Sequence, residues 1–141
     1  MSINKFFVYG TLRPDVQAPW SDIVHNNPEF KLKYYKAYLP CSKLFFHRTI
    51  GFPMTVYDVE LYSEEDKTIG YILETDNVQQ TLKLFDEIEC YPDEYDRFEV
   101  KCFNKENSVF ESVYFYSQKK ELLKDEDLED LRINDFLYMK R

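Results

Sequence analysis

Two clusters in this 141-residue chain combine residue types that could do chemistry. The first is Tyr9-Gly10-Thr11-Leu12-Arg13-Pro14, where an apolar run from Phe6 breaks off at one of only three glycines. Glycine there permits positive φ or close approach of another group. With Pro14 fixing the exit, consecutive backbone N–H groups can converge into a concavity suited to a carboxylate or an oxyanion. The same residues also suit an ordinary strand-ending turn, and the phosphate-loop spacing with its lysine is absent. The second cluster is Asp86, Glu87 and Glu89, crowded at the end of an amphipathic stretch. A helix C-terminus carries negative partial charge, so carboxylates there are electrostatically misplaced. If Glu89 is buried, desolvation and the helix end raise its pKa toward the range of a general acid/base. If it is exposed, it is one more solvated acid.

The remaining reactive residues point nowhere in particular. Cys41, Cys90 and Cys102 are odd in number and lack paired spacing, which argues against a disulfide framework or a zinc site. They read as reduced thiols packed as small hydrophobes. Cys90 adjoins Glu89, but nearby acids raise a thiol pKa and no histidine lies close in sequence, which weighs against a cysteine nucleophile. His25 and His47 suggest no dyad. The net charge of −8 disfavours nucleic acid as a partner. No run reaches the length of a membrane span, and "MSINKFF" lacks signal-peptide architecture, so a cytoplasmic protein is expected.

Elements must position these clusters. Lys5 to Tyr9 reads as a first strand buried on both faces. A short helix is expected over Asp22 to His25. Phe30 to Phe46 suggests two strand segments interrupted at Pro40. Met54 to Val59 and Thr68 to Thr75 are further strands. The clearest helix runs from Asn77 to about Glu89, with Asp76 as N-cap and Gln79 at the capping-box position. Its expected buried stripe is Val78, Leu82, Phe85 and Ile88. "YDRFEVKCF" alternates as a strand with Phe98, Val100 and Cys102 on one face, and "SVFESVYFYS" pairs back across "NKEN" as a hairpin. Arg97 alternates outward from Phe98 and, unless it lines a pocket, pairs only with Asp96 or Glu99 at little energetic consequence. Lys124 to Leu131 reads as a short acidic helix with Leu128 and Leu131 turned inward. No linker or repeat divides the chain, so residues 1–141 form one domain of α+β class with a curved or closed sheet.

Taken in order, these segments resemble the gamma-glutamylcyclotransferase-like superfamily. "FFVYGTLRP" resembles its N-terminal signature, "GFPMTVYD" its Tyr/Phe-Pro strand and "TIGYILE" its glycine-containing strand. "LFDEIECYPDEYDR" resembles its L-D-x-x-E-G-Y…Y-x-R motif, "SVYFY" the following strand, and "INDFLYMK" faintly a closing segment. Gly10, Gly51 and Gly70 all fall on motif positions. The likeness is nearest to the branch with gamma-glutamylamine cyclotransferases and plant avirulence-induced proteins.

The resemblance implies a small mixed β-barrel or strongly curved sheet with flanking helices, and a pocket between the first-strand loop and the helix end. It implies Glu89 as the single catalytic acid/base, with Tyr9, Gly10, Thr11, Leu12 and Tyr95 around a small-molecule γ-glutamyl substrate. Arg13 and Arg97 are further candidates for that pocket, or simply wall and barrel residues. The implied reaction is intramolecular aminolysis releasing 5-oxoproline, with no metal, nucleotide or prosthetic group. No protein partner is indicated. The alternative on the same fold is a non-catalytic module that binds small anions or proteins. The chain departs from the motif at Cys90, where glycine is usual.

Overall fold

β1 explains on its own why the first strand is apolar at nearly every position. Its alternate residues serve two cores: Phe7 faces the barrel interior, while Phe6 and Val8 face an outer layer with Leu12, Val24, Leu73 and Phe85. The computed structural model describes residues 3–10, 12–16, 19–48, 52–93, 95–118, 126, 128–130 and 132–135. Among them the order is β1 (Lys5–Val8), α1 (Pro19–His25), β2 (Lys33–Pro40), β3 (Ser42–His47), β4 (Phe52–Tyr57) and β5 (Lys67–Glu74). Then come α2 (Val78–Ile88), β6 (Tyr95–Asn104), β7 (Val109–Gln118) and β8 (Leu128–Asp130).

The strands β1-β5-β2-β6-β7 close into a barrel, antiparallel except where β1 meets β7 in parallel at Phe6 and Tyr114. This is the small mixed barrel that the sequence led us to expect, in an α+β fold. Closure needs β1 and β5 to approach closely, and Gly70 permits it. A Cβ at that position would sit 2.2 Å from the Val8 carbonyl oxygen and under 3 Å from the Phe7 ring. The bend after Pro40 is taken by Cys41 in the left-handed region, at φ 57°. It separates β2 in the barrel from β3, which joins β4 and β8 in a second sheet.

Two local expectations are corrected. The acidic stretch expected to form a helix instead supplies β8, with Leu128 opposite His47 and Asp130 opposite Phe45. The edge of β3 offers backbone partners, and that tertiary pairing overrides a local helical pattern. Residues 124, 125, 127 and 131 lie outside the described residues, as do Gly51 and residues 136–141 of the closing segment. At the start of α2 the N-cap is Asn77, not Asp76, and no side chain caps the helix. The buried Thr75 hydroxyl instead accepts the Asn77 N–H at 3.0 Å and donates to the Phe30 carbonyl at 2.7 Å. This ties the helix entrance to the segment before β2. Phe85 is fully buried as expected, its ring tilted against Phe6 with centroids 4.6 Å apart, and Leu82 and Ile88 pack half-buried beside it. Phe98 is exposed at its end of β6, whereas Val100 and Cys102 are buried.

Candidate active site

The end of α2 decides where Glu89 goes. The Tyr91 N–H donates to the Asp86 carbonyl at 2.9 Å and the Cys90 N–H to the Glu87 carbonyl at 3.3 Å. Cys90 sits at φ 54°. This is a Schellman closure, whose left-handed position is normally glycine. Cys90 therefore adopts the glycine conformation, at a cost of roughly 1–2 kcal/mol.

The three carboxylates here have three fates. Asp86 accepts both short bonds from Arg97 Nη1, at 2.7 and 2.6 Å, and a third from the Tyr116 hydroxyl at 2.5 Å. Glu87 is exposed. Glu89 keeps some residue surface, but its carboxyl is desolvated, and burial alone pushes its pKa from 4.5 up to about 7. Among the described residues no cation offsets that burial. The arginine that could have done so is held by Asp86 and stacked 4.5 Å from the Tyr91 ring.

Tyr9 stands just past β1, packed against the barrel core near Phe115. Thr55 on β4 lies close enough to the Tyr9 hydroxyl to favour the ionised form, against the larger effect of burial. The Tyr9 pKa is raised first by burial, and further by Tyr95 and Glu89, each of which lies within electrostatic reach of it. The family resemblance implies one pocket around Glu89, Tyr9 and Tyr95. In the structure Tyr95 and Glu89 each lie near enough to Tyr9 to raise its pKa, with Tyr9 packed on the barrel core and Tyr95 on the outer layer.

The first loop follows directly. The Arg13 N–H closes a turn onto the Gly10 carbonyl at 3.0 Å, so this amide is unavailable to an anion. Leu12 turns its side chain into the outer core, and its carbonyl takes a 2.7 Å bond from His25 Nε2 on α1. His25 Nδ1 faces the Tyr34 hydroxyl at 3.0 Å. A carbonyl can only accept, so Nε2 carries the proton and the neutral ring accepts from Tyr34. Burial, which lowers the His25 pKa, favours that neutral form. Leu12 can therefore meet a ligand only through its backbone N–H, and Thr11 lies outside the described residues.

The two arginines are not aimed at the Glu89 neighbourhood. Arg13 is 2% exposed and committed to Asp15 and Asp135. Arg97 holds Asp86 rather than Asp96 or Glu99, which corrects the expectation of an idle surface pair. A cleft of about 300 Å³ lines the Gln79, Leu82, Lys83, Asp86, Glu87 and Tyr91 flank of α2, and none of Glu89, Tyr9 or Tyr95 borders it. Among the described residues no three His, Cys, Asp or Glu side chains converge as metal ligands would, and no helix is long and apolar enough to cross a membrane.

A family model described as gamma-glutamyl cyclotransferase, AIG2-like, matches residues 6–135, a span that includes both clusters. The chain belongs to the gamma-glutamyl cyclotransferase, AIG2-like family. No curated protein matches the sequence. Among solved structures, an AIG2-like protein from Mus musculus has a TM-score of 0.69 at 19% identity, covering 90% of this chain and 83% of its own. An Arabidopsis thaliana protein solved in solution has a TM-score of 0.62 at 19% identity, covering 90% and 76%. A gamma-glutamyl cyclotransferase has a TM-score of 0.58 at 20% identity, covering 82% and 66%. At these identities the likeness carries the fold.

Within this AIG2-like barrel, several supporting residues escaped the sequence reading. Thr55 lies on a strand that was recognised, but nothing in a lone threonine shows that it meets Tyr9. Asp15 stands two residues after Arg13, a spacing that could have suggested their pairing. Asp135 is 122 positions from Arg13, and no local pattern connects them.

Proposed function

We propose that the domain is a cyclotransferase releasing 5-oxoproline from a γ-glutamyl amine or γ-glutamyl peptide. The observation that carries this reading is Glu89, a desolvated carboxyl with a pKa raised to about 7 and close enough to Tyr9 to act on its hydroxyl. A group that titrates near neutrality can take and return a proton at comparable cost, which suits it to act as both base and acid.

The chemistry asks little else of the protein. The substrate's α-amine nitrogen attacks its own γ-carbonyl carbon, forming the lactam C–N bond through a tetrahedral oxyanion. The former amide C–N bond then breaks. Glu89 takes the proton shed by the attacking amine and delivers it to the departing amine, so the protein ends as it began. Because the nucleophile is tethered to its electrophile, fixing the glutamyl conformation supplies much of the rate. Backbone N–H groups of the Gly10–Leu12 segment hold either the α-carboxylate or the oxyanion. The Arg13 amide is excluded from that role by its turn.

The competing reading is a non-catalytic anion-binding or interaction module. The charge distribution favours the enzyme: a carboxylate-binding pocket gains nothing from a buried Glu beside its ligand. Cys90 does not disable the helix end, since it adopts the left-handed geometry the closure requires. Incubation with γ-glutamyl amines and dipeptides, with assay of 5-oxoproline, tests the proposal. Turnover by the native protein and its loss by roughly 10²–10⁴-fold in Glu89→Gln is expected. Absence of turnover across both substrate sets, with 5-oxoproline still bound, would identify the module instead.

A further inference from the structure

The first loop is held from a direction that its own sequence does not reveal. Arg13 uses its guanidinium as a fork: Nε and Nη2 donate to the two Asp15 carboxylate oxygens at 2.8 and 2.7 Å, and Nη1 donates to Asp135 Oδ1 at 2.7 Å. The head also lies 5.4 Å from the Tyr71 ring centroid. Asp15 is local, two residues along the same turn. Asp135 arrives from the far end of the chain. Its segment is docked independently, because the Ile69 N–H donates to the Asn134 carbonyl at 2.7 Å and Asp135 bridges Ile69 in parallel. β5, which carries Ile69, also pairs with β1, the strand that leads into the loop.

The backbone of the same loop is anchored elsewhere as well. The Arg13 carbonyl accepts from the Ser21 hydroxyl at 3.2 Å, and the Leu12 carbonyl from His25. Both of these anchors come from α1. Asp135 is thus a side-chain link between the loop and the barrel through the C-terminal segment, and its partner is an arginine too buried to reach solvent as an alternative. A planar guanidinium held at three N–H positions has little rotational freedom, and the Arg13 N–H ties the same residue to the Gly10 carbonyl.

Resting on the function proposed above, we infer that Asp135 is a positioning residue. Through Arg13 it sets the backbone of Gly10 and Leu12, whose N–H groups receive the anionic part of the γ-glutamyl substrate. Its role is exerted through Arg13 and not on the reacting atoms. Its loss should therefore weaken substrate capture while leaving the proton-transfer group as it was.

The test compares Asp135→Ala with Asp135→Asn in the full chain. Asparagine retains an oxygen that can accept from Arg13 Nη1, and both variants keep the Asn134 backbone bond. Two readouts are taken: hydrogen–deuterium exchange over residues 10–16, and kinetics with a γ-glutamyl substrate that the native protein turns over. In Asp135→Ala we expect faster exchange in that segment with α2 and β6 unchanged. We also expect KM raised roughly tenfold or more, with kcat and its pH midpoint nearly unchanged. Asp135→Asn should restore most of both. Native-like exchange and KM in the alanine variant would overturn the inference. So would a loss carried by kcat, general loosening of the fold, or failure of asparagine to rescue. If the native protein itself forms no 5-oxoproline, the proposed function falls, and the positioning role falls with it. An active native protein with an indifferent Asp135 refutes only the latter.

Discussion

Replacing Glu89 with glutamine gives a prediction that can be read without any substrate. Burial raises the Glu89 pKa from 4.5 to about 7. At about 1.4 kcal/mol per pH unit, that gap corresponds to about 3 kcal/mol. The sign follows from proton counting. Between pH 4.5 and about 7 the unfolded chain has released this proton while the native state keeps it. Stability therefore falls as pH rises through the window, and the penalty is complete above the folded value. Glutamine mimics the neutral acid at every pH and avoids the penalty. The variant should match the native protein near pH 4 and exceed its stability by up to about 3 kcal/mol at pH 8. Urea unfolding from pH 4 to 8 measures this, while 5-oxoproline formation over the same range should collapse in the variant. The native kcat should depend on an ionisation near 7 rather than near 4.5. A stability difference that stays flat with pH would show that the carboxyl is solvated, and the acid/base assignment would lose its physical basis.

Cys90→Gly should stabilise the protein by about 1 kcal/mol, raising Tm by a few degrees, because glycine adopts the observed φ of 54° without strain. Scanning calorimetry checks this, and an unchanged or lower Tm would place the strain elsewhere. Gly70→Ala should destabilise by about 3 kcal/mol or more, since the added Cβ would meet the Val8 carbonyl at 2.2 Å, a backbone atom that cannot rotate away. Urea unfolding reports the loss, with Tyr9, one residue past Val8, displaced as a consequence. Arg97→Gln should cost about 1.5–3 kcal/mol through the lost bonds to Asp86. Its kcat midpoint should stay in place, because neither Arg97 nor Asp86 contributes to the Glu89 shift.

The legible part of this protein was the part written in local pattern. β1, the β6–β7 hairpin and α2 each carry a periodicity that survives into the structure, and Phe85 is buried where the helical stripe placed it. Glu89 could be singled out because a carboxylate at a helix end is locally unfavourable, and such a conflict asks for a compensating reason. Illegible were the features made by contacts distant in sequence. β8 exists because β3 has an edge to pair, and its acidic sequence reads as helix in isolation. The Thr75 hydroxyl at the start of α2 works through Phe30, 45 residues away. Arg97 looked idle because its partner lies on another element, 11 residues back.

The placement of charge ties the two clusters together. Both arginines that the sequence sets beside the candidate site are consumed by aspartates: Arg13 by Asp15 and Asp135, Arg97 by Asp86. Had either guanidinium faced Glu89 at close range, its pKa would sit about 1–3 units lower, and the carboxylate would be a poor base at neutral pH. The aspartates hold both guanidiniums, and Glu89 keeps the pKa that burial gives it. If the first loop receives the substrate anion as proposed above, it does so through backbone N–H groups rather than through Arg13 or Arg97. On that proposal the placement of Gly10 and Leu12 matters, and a contact as remote as Asp135 bears on it through Arg13.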